Sequence, residues 1–308
     1  MRNVRIATSS LATLEAITPP NNLRVPSVNE NLSRGLDILD VAGANKVDIA
    51  VLCESFAYAG IPGDNLREVV ETYPGNCITE VAKKAKHYSM YVVAGFYVVI
   101  EGKIKNISVL FDRSGNIVGE YVKKYATQGE MDCGVFPEDT QNVFTTDFGK
   151  IGMSICFDIN WPDVWTSLEN EAEIVFWISA YEGGFPLQAR AWLHHLPIVS
   201  AVMSYHGKVI DINGKVLGQT SRWNRVYVHE FNLDREILHT DHNYSKIAQI
   251  QSKYGAKVSI ESSSEEHFYI IQSNDESITV KSILEEFDIQ TYREYIAQCT
   301  EDVRKSKG

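Results

Sequence analysis

Ile151-Gly152-Met153-Ser154-Ile155-Cys156-Phe157-Asp158-Ile159-Asn160-Trp161-Pro162 is the stretch from which the rest of the chain is read. Its first half is apolar with a small residue at alternate positions, a pattern that suits a strand under close packing. Its second half ends in a proline placed to open a helix. Cys156 therefore stands where a strand breaks into a helix. A thiol there lies near backbone N–H groups and the positive end of a helix, and both lower thiol pKa and favour thiolate. Free cysteine is also among the most buried residue types. Whether Cys156 reacts or merely packs has to be decided by what surrounds it.

Working outward, helices fall between strands in the first and third quarters of the chain, and hairpins fall in the middle and at the end. Residues 4–9 read as a first strand, followed by a polar loop with Pro19-Pro20. Ser27 and Glu30 form a capping-box pair that opens a helix to about Ala44, with Leu32, Leu36, Ile38, Leu39 and Ala42 on its apolar face. Residues 48–53 form a short buried-type strand, and Glu54 follows at its carboxyl end. A helix is expected over 78–89 and a strand over 91–100. A hairpin is expected from 107–111 and 117–122 around Asp112-Arg113-Ser114-Gly115-Asn116. Residues 126–135, with Glu130, read as loop. Strands over 142–146 and 150–157 precede a helix over 162–170, a strand over 174–179, a helix over 186–195 and a strand over 198–204. Asn213-Gly214 carries a type I′ hairpin signal, and residues 226–231 form the last strand. The expectation is an α/β chain with two sheets, each covered on one face by helices.

Past about Asp234 the apolar strands thin out and Glu, Lys, Ser and Gln become dense. Domain boundaries are expected at 1–234 for the main domain and 235–308 for an extension packing on the core or on a partner subunit. Within the extension, helix is expected over 243–253, 277 onward and 290–305, and strand over 257–260 and 267–271.

The chain has 308 residues, 44% hydrophobic content and a formal net charge of -11, so an ordinary globule is expected and a nucleic-acid partner is not. No apolar run reaches membrane-spanning length, so no membrane partner is expected. The start lacks a long apolar segment of the signal-peptide kind. Five scattered cysteines without a CxxC pair argue against a disulfide framework or zinc ribbon and for a reducing, cytoplasmic setting. His194-His195 are adjacent on a helix and point apart, so no metal site is expected.

Three strand ends carry complementary chemistry. Glu54 follows an apolar strand, Lys123 ends a β-arm and Cys156 ends another strand, and carboxyl edges of a sheet converge on one crevice. A thiolate attacks carbon, a neighbouring carboxylate takes and returns the proton, and an ammonium with the backbone N–H after the nucleophile steadies the oxyanion. Such a site needs no metal and no organic cofactor. Lys124 alternates to the face opposite Lys123. Asp158 is placed to brace the turn by hydrogen bonds.

These segments resemble the motifs of the nitrilase superfamily of carbon–nitrogen hydrolases. The resemblance rests on Val51-Leu52-Cys53-Glu54, on Gly119-Glu120-Tyr121-Val122-Lys123 and on the Ile151–Pro162 stretch, and it runs in family order over roughly residues 4–234. It implies a four-layer α-β-β-α sandwich and a Glu54–Lys123–Cys156 triad, with Glu130 as a further acidic catalytic residue that supports the proton traffic. Cys53 replaces the family's usual proline. Phe157-Asp158 is similar to the amidase and carbamoylase branches, whereas true nitrilases more often carry Trp-Glu there. The expected activity is cofactor-free hydrolysis of a non-peptide C–N bond in a small-molecule amide or N-carbamoyl substrate. Nitrile hydrolysis, acyl transfer to an amine, and a silent member acting as scaffold stay open as alternatives. Phe157, Trp177, Ser179 and Tyr181 are candidate substrate-binding residues. The resemblance also implies a homodimer or higher homo-oligomer.

Overall fold

The computed structural model describes residues 1–12 and 25–307; the expected Pro19-Pro20 loop lies outside the described residues. The chain divides into two compact units, one of Val4–Glu230 and one of Met1–Asn3 with Phe231–Gly308.

The larger unit contains two sheets. In the first, β1 (Asn3–Ser9), β2 (Ile49–Val51) and β4 (Tyr91–Ile100) run parallel, and β3 (Glu71–Thr72) pairs with the far end of β4. Antiparallel β5 (Lys103–Phe111) and β6 (Ile117–Val122) extend this sheet. The second has the order β12-β11-β10-β9-β8-β7, from β7 (Val143–Thr145), β8 (Lys150–Ile155), β9 (Ile174–Ser179), β10 (Ile198–Val202), β11 (Lys208–Ile210) and β12 (Val216–Gln219). Strands β8, β9 and β10 are parallel, and β9 and β10 are buried at every residue. That is why they read as continuous apolar runs and not as alternating ones. Strand β13 (Val226–Asn232) returns to the first sheet beside β1.

Helices cover the outer faces. α1 (Val28–Ala44) begins at Ser27, whose hydroxyl accepts from the Glu30 N–H while Glu30 accepts from the Ser27 N–H, the expected capping box. The short α2 (Leu66–Val69) leads to α3 (Gly75–Tyr88), which buries Cys77, Ile78, Val81 and Ala85 and packs with α1 beside the first sheet. α4 (Gln128–Asp132) lies after β6. α5 (Pro162–Glu169) and α6 (Gly184–His194) set Trp165, Leu168, Leu187 and Ala191 against Val175, Trp177, Ile198 and Ile210 of the second sheet. The two sheets meet through their other faces, where the Ser108 hydroxyl on β5 donates to the Met153 sulfur on β8 at 3.3 Å. Among the described residues no helix is long and apolar enough to cross a membrane.

Several expectations are corrected. Residues 126–135 are not all loop: Thr127 caps α4 through a box with Glu130. The hairpin strand expected from 107 begins at Lys103, because pairing with β4 carries it through a polar start. At Asn213-Gly214 only the glycine has positive φ, +80°, and the Gly214 N–H donates to the Asp211 carbonyl at 2.8 Å. A type I′ turn needs positive φ at both central residues, so the connection is an ordinary turn closed by a glycine.

In the smaller unit, β14 (Arg235–His239), β15 (Val258–Ser263) and β16 (Phe268–Ser273) form an antiparallel sheet of order β14-β16-β15. α7 (Tyr244–Tyr254) and α8 (Val280–Phe287) close a core of Leu238, Ile247, Ile250, Ile271, Ile283 and Leu284, while α9 (Tyr292–Lys307) buries no residue. Strand β14 was not read from the sequence, since only Ile237 and Leu238 stand out among its polar neighbours. The division falls after Glu230, a few residues before the expected one, and takes in Met1–Asn3. The Met1 ammonium donates to the Asp275 carbonyl at 2.9 Å and the Arg2 N–H to Asn232 at 3.0 Å, which ties the first residues to that unit.

Candidate active site

Glu54 leaves the carboxyl end of β2 and is 3% exposed. The next residue, Ser55, turns the chain sharply at φ +45°. This turn lies against β4 at Gly95, where a Cβ would stand 2.7 Å from both the Glu54 Cα and the Ser55 nitrogen. Lys123 leaves β6, is 1% exposed and is fixed by its N–H, which donates to the Asn106 carbonyl at 2.8 Å. Cys156 leaves β8 at φ +49° and opens a 3₁₀ turn, Cys156–Asn160.

A left-handed non-glycine residue costs on the order of 1–3 kcal/mol and persists only where its surroundings hold it. Here the hold is Asp158. Its carboxylate accepts from the Ile155 N–H at 3.2 Å, the Tyr125 N–H at 2.9 Å and the Tyr121 hydroxyl at 2.8 Å. Trp177 adds an indole N–H to the Cys156 carbonyl at 3.0 Å. Burial pushes the Asp158 carboxyl up to about 6, opposed by those donors. The bracing role expected of Asp158 matches this geometry.

The polar side chains converge. The Lys123 ammonium donates to Glu54 Oε1 at 2.8 Å and to Glu130 at 3.0 and 2.8 Å. Asn106 Nδ2 donates to Glu54 Oε1 and to Glu130 Oε1, each at 2.8 Å, and the Ala180 N–H donates to Glu54 Oε2 at 2.9 Å. Glu130 accepts further from the Tyr97 hydroxyl at 3.3 Å and the Thr127 N–H at 2.8 Å. Cys156 is buried, and Glu54 and Lys123 lie close enough for their charges to act on its thiol. Two carboxylates thus share one ammonium in a buried setting, and a thiol lies alongside. Such an arrangement stands only if its members are fully hydrogen-bonded.

The charge balance overturns one expectation. The Cys156 thiol is not depressed; burial and the Glu54 charge push it up to about 12, against the pull of Lys123 and Ser179. The turn does supply N–H groups and a cation, but the extra carboxylate and the loss of water outweigh them. For Lys123, burial pulls its pKa down, and the charges of Glu54, Cys156 and Glu130 outweigh this, so the ammonium is held above the ordinary lysine value. For Glu130, burial pushes upward, yet Lys123, Thr127 and Asn106 hold the carboxyl below its ordinary value. At rest Cys156 is therefore a thiol, Lys123 an ammonium and Glu130 a carboxylate. With N-ethylmaleimide near pH 7, exposed Cys299 is expected to label first, with Cys156 slower by about tenfold or more. Peptide mapping of a time course checks this, and Cys156 labelling first would point to a thiolate.

The structure gathers Glu54, Lys123, Glu130 and Cys156. The residues expected to bind substrate divide. Tyr181 and Phe157 are partly open, at 41% and 36% exposure. Burial and the Cys156 charge push the Tyr181 phenol up to about 12. Ser179 is buried, and its hydroxyl accepts from the Tyr181 N–H at 3.0 Å. Trp177 is fully buried and supports the Cys156 backbone, so its expected place in the substrate-binding surface is corrected. Sequence reasoning missed Asn106, Tyr97, Thr127 and the Ala180 N–H. Thr127-Gln128-Gly129-Glu130 is a readable capping box. Asn106 and Ser108, polar at alternate positions either side of Ile107 in a buried part of β5, were a readable signal too. Among the described residues, no group of three or more His, Cys, Asp or Glu is arranged to hold a metal ion.

Comparison with known proteins gives the same architecture. A Bacillus subtilis protein named probable hydrolase YhcX is 33% identical over 148 residues, which is 45% of this chain and only 28% of that one. A Dictyostelium discoideum deaminated glutathione amidase is 28% identical over 255 residues, covering 70% of this chain and 86% of that protein. The crystal structure of Saccharomyces cerevisiae Nit3, a member of branch 10 of the nitrilase superfamily, superposes with a TM-score of 0.65 at 17% identity, covering 83% of this chain and 96% of that one. That last likeness is one of fold. The carbon-nitrogen hydrolase sequence pattern matches residues 11–237, which include every strand of the two sheets except β1 and every residue gathered around Cys156. The chain belongs to the carbon–nitrogen hydrolase family.

Proposed function

We propose that the protein hydrolyses a non-peptide C–N bond of an amide or N-carbamoyl substrate through a thioester on Cys156. The observation that carries this is the meeting of Glu54, Lys123 and Cys156, from three separate strand ends, in one buried cluster. Cys156 Sγ attacks the carbonyl carbon as its proton passes to Glu54. The oxyanion is held by the Lys123 ammonium and the Phe157 N–H, which stands in the first turn of its 3₁₀ segment and so lacks an acceptor within it. Collapse breaks the C–N bond, and the proton on Glu54 leaves with the amine. Water then gives a proton to Glu54 as it attacks the thioester, the C–S bond breaks, and Glu54 returns that proton to the sulfur, releasing acid and thiol. A thiol pushed up to about 12 fits this sequence, because proton loss is then coupled to bond formation. The amidase name of the Dictyostelium relative and the Phe157-Asp158 pair both favour an amide or carbamoyl group over a nitrile.

Intact-mass spectrometry of wild type and Cys156→Ala, each incubated with a mixed library of amides and ureido acids, tests the reading. An acyl adduct on wild type alone is the expected result. Equal masses throughout, with no consumption of any library member, would exclude it.

A further inference from the structure

The two glutamates beside Lys123 are not equivalent as proton acceptors. An ionised carboxylate offers about four acceptor positions, two on each oxygen. Glu130 has filled them: Oε1 takes the Tyr97 hydroxyl, Asn106 Nδ2 and Lys123, and Oε2 takes Lys123 and the Thr127 N–H. Glu54 has not. Its Oε1 takes Lys123 and Asn106 Nδ2, whereas its Oε2 takes the Ala180 N–H and keeps one position. Both saturated Oε1 atoms depend on a single group, the Asn106 amide nitrogen, whose two hydrogens are spent one on each acid. Asn106 is itself fully buried at the middle of β5, and its Oδ1 faces the Ser55 hydroxyl at 3.5 Å.

We propose that Asn106 is a positioning residue that ties Glu54 and Glu130 to either side of Lys123 and so leaves Glu54 Oε2 as the acceptor for the Cys156 proton. Glu130, on this assignment, fixes the ammonium and carries no proton during turnover. The inference rests on the hydrolase reading above and assigns the route of its proton. In the acylation step the S–H bond breaks and an O–H bond forms at Glu54 Oε2. That proton leaves with the amine, and Glu54 returns to its starting state.

The test compares wild type with Asn106→Leu and Asn106→Ser. Leucine fills the space and removes both donors, which makes the carboxylates more basic. The acid limb of the kcat/KM–pH profile is expected to move up by about one pH unit in Asn106→Leu, with the serine variant, which keeps one donor, in between. A merely structural role would lower kcat/KM equally at all pH values and leave the limb in place, and that result overturns the assignment. Infrared titration of buried carboxylates in Cys156→Ala and Cys156→Ala/Asn106→Leu proteins reads the same shift without turnover. Wild type that hydrolyses no amide while the infrared shift is present refutes the hydrolase reading and not the role of Asn106. An absent infrared shift refutes Asn106.

Discussion

Lys123→Met is expected to lower kcat/KM by about 10²–10³, the usual loss for a missing oxyanion donor, and to remove about 3–5 kcal/mol of stability, the usual cost of breaking a buried ion pair from one side. Methionine fills much of the space, so cavity formation is a minor part of the loss. What remains is two carboxylates, Glu54 and Glu130, sharing the Asn106 amide with no cation between them. An exposed ion pair would contribute only about 0–1 kcal/mol, and the difference between the two outcomes is easily measured. The pH dependence adds a second check. In wild type, Glu130 is held below its ordinary value of 4.5, so its contribution is complete above that value and is lost as pH falls through the lower, folded value. In the variant the same carboxyl is buried without its cation and is raised, so the variant regains stability as pH falls. The gap between the two proteins should be widest near neutrality and narrow toward about pH 5. Urea unfolding at the two pH values measures it. A gap below about 1 kcal/mol, constant with pH, would show that the cluster is solvated and loosely held.

What the sequence disclosed, and what it withheld, follows the range of the forces involved. Ser27 and Glu30 are three residues apart, and their capping box is written in local order. Strands such as Ile174–Ser179 are buried on both faces and so are apolar up to their last residue, which their composition shows directly. The break at Cys156 was legible for the same reason: strand, turn and Pro162 are contiguous. Asn106 was not singled out, because its partners stand at 54 and 130 and only the pairing of β4, β5 and β6 brings them together. The sign of the Cys156 shift failed for a related reason. Helix ends and N–H groups are local features of the turn, while burial and the Glu54 charge that outweigh them arrive through tertiary structure. Trp177 was taken for a binding residue because aromatic side chains near a strand end serve pockets and cores alike. Its indole N–H reaches back to the Cys156 carbonyl, which no spacing rule reveals.

Gly95→Ala is expected to be nearly as damaging as removal of the lysine, although Gly95 touches none of the reacting atoms with a side chain. Its φ is not in the left-handed region, so alanine meets no backbone objection there. The objection is steric. The new methyl would lie 2.7 Å from the Glu54 Cα and 2.7 Å from the Ser55 nitrogen, both backbone, and 2.8 Å from the Ile178 Cδ1. Ile178 can change rotamer, but the backbone atoms move only if the turn bearing Glu54 moves off β4. Overpacking of this kind costs about 1–3 kcal/mol, which leaves a folded protein. Displacing a catalytic group by about 1 Å costs on the order of a hundredfold in rate, so activity should fall much further than stability. Gly129→Ala supplies the contrast, since a Cβ in that place in α4 meets nothing within 4 Å and its φ is not left-handed. Thermal melts with kcat/KM for both variants decide the matter. Gly95→Ala with wild-type turnover would mean that close approach to β4 does not set the position of Glu54. An intact fold with turnover down about a hundredfold, beside an active Gly129→Ala, ties the missing methyl group at residue 95 to the placement of Glu54.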